Sequence, residues 1–282
     1  MISITSSSNE KLKKISLYSS KASARKDDGV FVAEGTKLVA EAPAELIRQI
    51  YISESCLRTL ERDKGKLFDS FTDLSGKLPD DAVICVPDRL FDKISTMKTP
   101  QGMLAVLDAP SYQAEDLEKG SGPNADTGEA VPLILVLEDI QDPGNVGTIF
   151  RTAEAAGVTG IILSEGCADP LSPKVVRSAM GAVFRMPFII SADLTGEVRR
   201  LEDKGISCYA ARLDESSEYD KCRLDMPCAL LIGNEGNGLS AEITSAASSG
   251  IYIPMSGKTE SLNAAVSASI LAYEARRQRS KL

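Results

Sequence analysis

The chain of 282 residues contains no histidine. Histidine is the commonest general base and the commonest metal ligand, so its absence excludes Ser–His–Asp and Cys–His catalysis and any metal held by imidazole. The six cysteines form no CxxC pair, and we expect no metal site. Any catalysis must therefore rely on Arg, Lys, Asp, Glu, Ser, Tyr, Cys or backbone groups.

Long apolar runs are also missing. No stretch approaches the ~18 apolar residues that a membrane span needs, and the first segment, MISITSSSNEKLKK, lacks the apolar region of a targeting signal. The chain is 43% hydrophobic and 26% charged, which is typical of ordinary globular proteins. We therefore expect a cytoplasmic protein with no membrane partner, whose cysteines are reduced and mostly buried.

Positive charge is concentrated at the two ends of the chain. The net charge of −8 argues against indiscriminate binding of nucleic acid, because phosphate contacts need cationic side chains. Binding depends on local patches rather than on total charge, and both ends of the chain are basic, although each run alone is equally typical of a solvated helix face. The cations are Lys11, Lys13, Lys14, Lys21, Arg25 and Lys26 near the start, and Arg276, Arg277, Arg279 and Lys281 near the end.

A polar segment divides the chain. Residues 111–130, SYQAEDLEKGSGPNADTGEA, have almost no apolar content, so this stretch cannot bury enough surface to fold by itself. The sequence thus predicts an N-terminal domain at 1–108, a linker at 109–130 and a C-terminal domain at 131–282. The length of the chain also suggests two domains.

The C-terminal half alternates between strands and helices. Apolar runs such as LILVLE (133–138) and CALLIG (228–233) are separated by helix-length segments. Such spacing means crossover connections and a mostly parallel α/β sheet with helices on both faces. Asn145 is expected to cap a helix that Gly157 closes.

The N-terminal half predicts a smaller α/β unit. Its apolar runs GVFVAE (29–34), QIYISE (49–54) and MLAVL (103–107) alternate with predicted helices near 9–20 and at 35–47.

The last predicted helix, 261–277, is apolar on two sides. One face carries, at helical spacing, Leu262, Val266, Ile270 and Tyr273, and the opposite side is rich in alanine. A helix that is apolar on both sides is buried on both sides. We therefore expect it to pack on the sheet and against a second subunit; the alternative is a helix central to one domain.

Three short segments follow apolar runs in the C-terminal half. They are NVGTIFR (145–151), GNEGNGL (233–239) and IPMSGKTESLN (253–263). Each places Gly, Asn or Ser where a parallel strand leaves its sheet, which is where open α/β sheets bind ligands. Each segment alone is equally typical of a turn, but together they predict a crevice for a small polar ligand.

Two familiar nucleotide motifs do not fit these segments. The glycines at 233, 236 and 238 have the reverse of the Rossmann spacing and lie late in the domain. SGKT (256–259) looks like the end of a P-loop, but the first glycine of that motif would fall at Tyr252, inside a predicted strand. Neither a dinucleotide site nor a P-loop is expected.

The three segments, in order, resemble the motifs of the TrmH/SpoU branch of the SPOUT superfamily, which are RNA ribose 2′-O-methyltransferases. FVAEG (31–35) and DRLFDKISTMKTPQGMLAV (88–106) likewise resemble the substrate-binding domain of many members, which is similar to ribosomal protein L30e. The resemblance implies S-adenosylmethionine as cofactor, a deep trefoil knot in the C-terminal domain and a homodimer with the active site at its interface.

The resemblance also implies roles for individual residues. The cofactor would be held by backbone groups around Gly233, Ile253, Met255, Leu262 and Asn263. The catalytic residues would be Arg151, Asn145, Glu235, Ser261 and Asn263. Arg151 would activate the ribose hydroxyl, although a guanidinium is normally a fixed cation, so positioning of phosphate and stabilisation of an oxyanion rank at least equal to base catalysis.

The remaining candidates would orient these groups. Asn145 would orient the target or Arg151, Glu235 would hold a neighbouring backbone or Asn263, and Ser261 would contact the ribose or simply cap the last helix. One departure from the family is Ala265, where a serine is common.

Several functions remain open on the sequence alone. The two-domain layout favours ribosomal RNA as substrate, and transfer RNA is the alternative. A non-catalytic RNA-binding protein would be expected to have damaged motifs. Methylation of a base nitrogen is a further possibility on the same scaffold, as is a ribosomal site whose methylation confers antibiotic resistance.

Overall fold

The computed structural model describes residues 2–119, 131–213 and 216–280. Contacts between residues divide the chain into two compact units. The first unit contains residues 1–110 together with 169–184, and the second contains residues 111–168 and 185–282. The segment 169–184 therefore belongs to the first unit by its contacts, although it lies in sequence between two strands of the second.

The first unit is built on a five-stranded mixed sheet with the order β1-β4-β3-β5-β2. Its strands are β1 (Ile2–Ser3), β2 (Val30–Glu34), β3 (Ile47–Ser53), β4 (Val83–Val86) and β5 (Met103–Asp108). Its first helices are α1 (Glu10–Ser20), α2 (Ala22–Asp28), α3 (Thr36–Ala40), α4 (Glu54–Asp63), α5 (Lys66–Ser75) and α6 (Asp88–Ile94). Only β5 runs against its neighbours, so β2, β3 and β4 point the same way.

The second unit contains a seven-stranded sheet that is parallel throughout, with the order β10-β12-β9-β11-β6-β7-β8. Its strands are β6 (Leu133–Leu137), β7 (Gly160–Ser164), β8 (Phe188–Ser191), β9 (Ser207–Ala211), β10 (Ser216–Glu218), β11 (Cys228–Ile232) and β12 (Ser249–Tyr252). Its helices are α7 (Asp116–Lys119), α8 (Pro143–Ala156), α10 (Leu194–Asp203), α11 (Ala241–Ala246) and α12 (Ala264–Arg279), whereas α9 (Pro173–Ser178) lies in the first unit. The predicted α/β class is confirmed.

The central strands of the second unit are buried on both faces of its sheet. Ile134 and Val136 of β6 share one core with two fully buried residues of α10, Val198 and Leu201. The alternate residues of β6 are buried on the opposite face, where α8 and α12 pack together; they are Leu133, Leu135 and Leu137. Helices therefore cover both faces, as predicted.

The predicted linker is partly structured. In residues 111–119, α7 places Leu117 fully buried in the core of the second unit. A Cβ on Gly160 would lie 2.4 Å from the Leu117 side chain, so this contact needs glycine in β7. Residues 111–119 thus become ordered because one leucine docks on a surface supplied by the sheet, which a stretch that cannot fold by itself needs. The rest of the predicted linker, 120–130, lies outside the described residues.

Element boundaries in the first unit also differ from the prediction. The helix predicted at 35–47 ends at Ala40, and only a short 3₁₀ turn, Ala44–Leu46, follows Pro43. Proline removes a backbone donor and restricts the residue before it, which stops the helix. The helices α4 and α5 occupy residues 54–75, for which the sequence analysis assigned no element.

The basic ends are less available than the sequence suggests. Arg25 is buried, pairs with Asp169 and donates to the carbonyl oxygen of Tyr18 at 2.6 Å. Arg279 donates to four backbone carbonyl oxygens, those of Val131, Pro132, Leu224 and Met226. These two arginines hold the fold together, so neither belongs to an exposed cationic surface.

The last helix is covered on one side only. Its alanine-rich side is buried, whereas Val266 and Tyr273 are 46% and 49% exposed. Among the described residues, no helix is long and apolar enough to cross a membrane. All six cysteines are free, and Cys208, Cys222 and Cys228 are buried.

Candidate functional site

The three segments singled out in the sequence all lie at one edge of the parallel sheet of the second unit. Residues 145–151 lie in α8, which follows β6; residues 233–239 follow β11; and residues 253–263 follow β12. Because these strands are parallel, their carboxyl ends meet at the same edge. The predicted convergence is therefore present within a single unit.

Helix α8 begins earlier than predicted, and this changes the role of Asn145. Asp142 is the N-cap, and its carboxylate accepts the Asn145 N–H at 2.9 Å, with Pro143 at the first helical position. Proline suits that position because its missing N–H would be unpaired there anyway. The expectation that Asn145 caps the helix is wrong; its side chain lies in the first turn and is free to bond elsewhere.

Asn145, Glu235 and Asn263 form a hydrogen-bonded chain, which we call the amide–carboxylate cluster. The Asn145 amide nitrogen donates to Glu235 Oε1 at 2.5 Å, and the Asn263 amide nitrogen donates to Asn145 Oδ1 at 3.1 Å. The structure thus joins one residue from each segment. The partner of Glu235 is Asn145, rather than Asn263 or a backbone group as expected from the sequence.

Asn263 also fixes the start of the last helix. Its Oδ1 accepts the N–H groups of Ala265 at 2.9 Å and Val266 at 3.2 Å, so it is the N-cap of α12. The helix was expected to begin at 261, and Ser261 was a candidate cap. Ser261 instead lies in the exposed loop before the helix, because Asn263 provides the cap two residues later.

The loop 233–239 closes on itself through its backbone. Asn234 and Gly238 exchange N–H to carbonyl bonds of 3.1 and 2.9 Å. A Cβ on Gly233 would lie 2.2 Å from the Gly238 carbonyl carbon, so glycine is required there for the loop itself. Any side chain at 233 would first disturb this loop, whatever the loop binds.

The segment after β12 leaves its backbone unpaired. Within the described residues, the N–H and carbonyl groups of 253–262 make no hydrogen bond to the rest of the chain. Ile253, Met255 and Leu262 are half-buried in this segment. Unpaired backbone groups beside half-buried apolar side chains suit a ligand that has both polar and apolar parts.

Arg151 stands apart from the amide–carboxylate cluster. Its side chain is exposed and makes no hydrogen bond or ion pair with any residue that the structure describes. It follows Asn145 by six positions on α8, which corresponds to roughly 9 Å along the axis and about 120° around it. Of the five predicted catalytic residues, the structure joins Asn145, Glu235 and Asn263 and leaves Arg151 and Ser261 outside.

Two acidic residues that sequence reasoning missed support this edge. Asp139 has a left-handed backbone with φ 53°, and its carboxylate accepts the Ser164 hydroxyl at 2.6 Å. Its carbonyl oxygen accepts the Asn234 amide at 2.8 Å, and Glu138 accepts the Ser240 N–H at 2.7 Å. In the sequence, the signal that could have identified them was the pair of acidic residues directly after the apolar run of β6.

Family models match both halves of the chain. The model of the SpoU rRNA Methylase family matches residues 132–273, and the model of the MRM3-like substrate binding domain matches residues 9–105.

Similar proteins cover almost the full length. The 23S rRNA (guanosine(2553)-2′-O)-methyltransferase RlmP of Bacillus subtilis is 30% identical, with 98% of this chain and 100% of that protein covered. An AdoMet-bound rRNA methyltransferase from Sinorhizobium meliloti has a TM-score of 0.79 at 28% identity, with 98% and 97% covered. A putative RNA methyltransferase of the TrmH family from Porphyromonas gingivalis has a TM-score of 0.77 at 32% identity, with 96% and 98% covered.

Proposed function

The chain belongs to the SpoU rRNA Methylase family and is an S-adenosylmethionine-dependent RNA methyltransferase, and we propose that its amide–carboxylate cluster is the centre of the active site. The reaction is transfer of a methyl group to a ribose 2′-hydroxyl. The observation that carries the proposal is the hydrogen-bonded chain from Asn145 to Glu235 and Asn263, because it joins all three sequence motifs at one sheet edge.

The residues at this edge fit S-adenosylmethionine. The unpaired backbone of 253–262 would hold its polar groups, and the half-buried Ile253, Met255 and Leu262 would contact its apolar parts. When bound, the cofactor supplies an electrophilic methyl group on a sulfonium. Gly233 would act indirectly, by allowing the loop 233–239 to close beside the cofactor.

The cluster would position the ribose. Both hydrogen-bonding ends of the Asn145 side chain are engaged, so its orientation is fixed. Glu235 Oε2 has no hydrogen-bond partner among the described residues and would accept a bond from a sugar hydroxyl. A pre-oriented acceptor of this kind aligns the 2′-oxygen before the reaction, which is the main contribution that positioning makes to rate.

Arg151 would stabilise negative charge as the hydroxyl loses its proton. A guanidinium is a permanent cation, so we assign it electrostatic stabilisation and phosphate positioning rather than base catalysis. Because it lies on a different side of α8 from Asn145, we infer that it acts in the site of a second subunit. The exposed Val266 and Tyr273 on α12 provide an apolar face for such a homodimer.

Ribosomal RNA is the substrate that the similarities favour. The Bacillus subtilis relative acts on 23S rRNA, and its full length is covered by this chain. Transfer RNA remains the alternative within the same reaction. We also propose that the enzyme works in the cytoplasm, where its six free cysteines would stay reduced.

Replacing Arg151 tests the catalytic assignment. Titration with S-adenosylmethionine followed by tritium transfer to RNA from methylation-deficient cells should show that Arg151→Ala binds the cofactor as tightly as the parent. Transfer should fall by roughly 100-fold or more, as is typical when one group that stabilises developing charge is removed.

The matched control is Arg199→Ala, which removes another exposed arginine on α10. It should transfer methyl groups at the parent rate. Normal transfer by Arg151→Ala would refute the role of Arg151, and nucleoside analysis that found methylated bases would refute the ribose as acceptor.

A further inference from the structure

The first unit contains a cavity of about 320 Å³ that the proposed active site does not use. Its walls come from residues that follow the carboxyl ends of β2, β3 and β4, and from residues 100–102, which precede β5. These three strands point the same way, so the cavity lies at the edge of the sheet where α/β folds commonly bind ligands.

One side of the cavity presents a fixed acceptor. The Ser55 N–H and hydroxyl both donate to Asp88 Oδ1, at 3.1 and 2.7 Å. The nearly buried Ser53 accepts the Cys56 N–H at 3.2 Å and lies 3.2 Å from the Ser55 hydroxyl. These bonds orient the Asp88 carboxylate, on which a side-chain hydrogen bond from Ser53 also acts and whose Oδ2 lies 3.9 Å from Arg58.

The other side presents a donor. Gln101 Oε1 accepts the Thr36 N–H at 3.1 Å and lies 3.3 Å from the Thr36 hydroxyl. A backbone N–H can only donate, so the amide oxygen must face Thr36 and the amide nitrogen is left to donate elsewhere. Gly102, with φ 81°, packs closely against α4, since a Cβ there would lie 2.5 Å from that of Cys56.

The remaining lining residues are mostly apolar. They are Leu60, Leu67, Phe91 and Pro100, together with the polar Thr59 and Asp92. Burial raises the pKa of the Cys56 thiol to about 11, with a further contribution from nearby Asp88, so this thiol is neutral and is not a nucleophile near pH 7. The cavity is therefore suited to non-covalent binding of a group with polar edges rather than to covalent chemistry.

Cations flank the lining residues. Lys37, Arg58 and Lys98 are exposed and lie next to or near lining residues in sequence. A cavity with partly apolar walls, an edge donor and an edge acceptor, and exposed cations close to its lining residues in sequence matches a nucleotide in a single strand, whose base is inserted while its phosphates stay outside.

We propose that this cavity, the base pocket, binds one unstacked nucleobase of the RNA substrate. The ring would lie between the apolar walls, with its edge bonded to Gln101 Nε2 and Asp88 Oδ2. The inference rests on the proposed function in that RNA is the substrate, and all lining residues fall within 9–105, the range that matches the substrate-binding model.

Anisotropy with fluorescent ribonucleotide decamers tests the base pocket in the full chain. The probes are the decamers of A, C and U and an abasic ribose-phosphate decamer. For the decamer that the parent binds most tightly, Gln101→Leu should weaken binding by roughly tenfold, the effect of losing one well-placed hydrogen bond. Leu67→Trp should also weaken binding, because the larger ring occupies the cavity. Binding of the abasic decamer and of S-adenosylmethionine should be unchanged.

Two control variants carry the same substitutions on exposed surface, Gln113→Leu and Leu17→Trp, and should bind like the parent. Equal binding of abasic and base-containing decamers by the parent would overturn the pocket, as would parent-like binding by Gln101→Leu. Methyl transfer to ribosomal RNA is measured separately: its absence in the parent refutes the proposed function, whereas its presence with an unused pocket refutes only this inference.

Discussion

Hydrogen bonds of single side chains decide the chemistry of the proposed active site. Asn145, Glu235 and Asn263 were all recognisable from their motifs, but their pairing was not. Asp142 takes the N-cap position of α8, which frees the Asn145 side chain to bridge Glu235 and Asn263. The sequence alone does not rank Asp142 and Asn145 as caps, because they lie close together and both residue types are good N-caps.

Glu235 should act by positioning Asn145. In Glu235→Ala the Asn145 amide loses its acceptor, and methyl transfer should fall by about 10- to 100-fold, the range expected for a hydrogen bond to a charged group. Glu235→Gln keeps an acceptor oxygen for the Asn145 amide but loses the acceptor at Oε2, so it should recover only part of the rate. Single-turnover transfer measures the effect, with cofactor affinity determined in parallel.

Glu242→Ala serves as the control, because Glu242 is an exposed carboxylate on α11 near the same edge in sequence. If Glu235→Gln were as slow as Glu235→Ala, the charge itself would be required and the positioning role would be wrong.

Helix boundaries show what local sequence can and cannot specify. The alternation of strands and helices in the second unit follows from apolar runs separated by helix-length segments, and the structure has it, although the short strand β10 was not predicted. Helix α12 starts at 264 rather than at the predicted 261, because Asn263, not Ser261, provides the cap. The short helix α7 escaped prediction because a single leucine, Leu117, is too weak a pattern without the surface on which it docks.

An ion-pair network should make the docking of α7 dependent on pH. Burial raises the pKa of Glu118, but hydrogen bonds from Lys204 and Arg200 outweigh it, so the net pKa is lowered. A lowered folded-state pKa gives stability that is present above the unfolded value of about 4.3 and is lost as pH falls through the folded value. Glu118→Gln should therefore destabilise the chain by about 1 kcal/mol at pH 7.

Urea unfolding at pH 7 and pH 4 measures this difference. The gap between parent and Glu118→Gln should narrow at the lower pH, while the exposed control Glu115→Gln should match the parent at both. A gap that stays constant with pH would show that Glu118 contributes by packing instead of charge.

At the scale of the whole molecule, two features bear on whether chains assemble: the uncovered side of α12 and the position of Arg151. The sequence predicts an α12 buried on two sides, and a single chain buries one of them. The exposed Val266 and Tyr273 share that uncovered side, and Arg151 lies outside the cluster it should serve. A second subunit would cover the apolar face and supply the arginine.

Charging this face should disrupt the dimer. Val266→Glu combined with Tyr273→Glu places two carboxylates where apolar contact is expected, so size-exclusion chromatography with light scattering should shift from about twice 30.1 kDa to 30.1 kDa. Methyl transfer should be lost with the dimer. Leu17→Glu, on the exposed side of α1, should remain dimeric and active. A parent that is monomeric and active would refute the dimeric site.

The sequence by itself determined the alternation of strands and helices, the family and the three motifs, because apolar periodicity and glycine spacing are local properties of the chain. Only the tertiary structure decided that Arg25 and Arg279 bond to other parts of the chain, that Glu235 accepts a hydrogen bond from Asn145, and that residues 169–184 join the first unit. The bonds of these side chains to distant partners join residues 53 to 148 positions apart. No local pattern specifies which distant partner a polar side chain will meet.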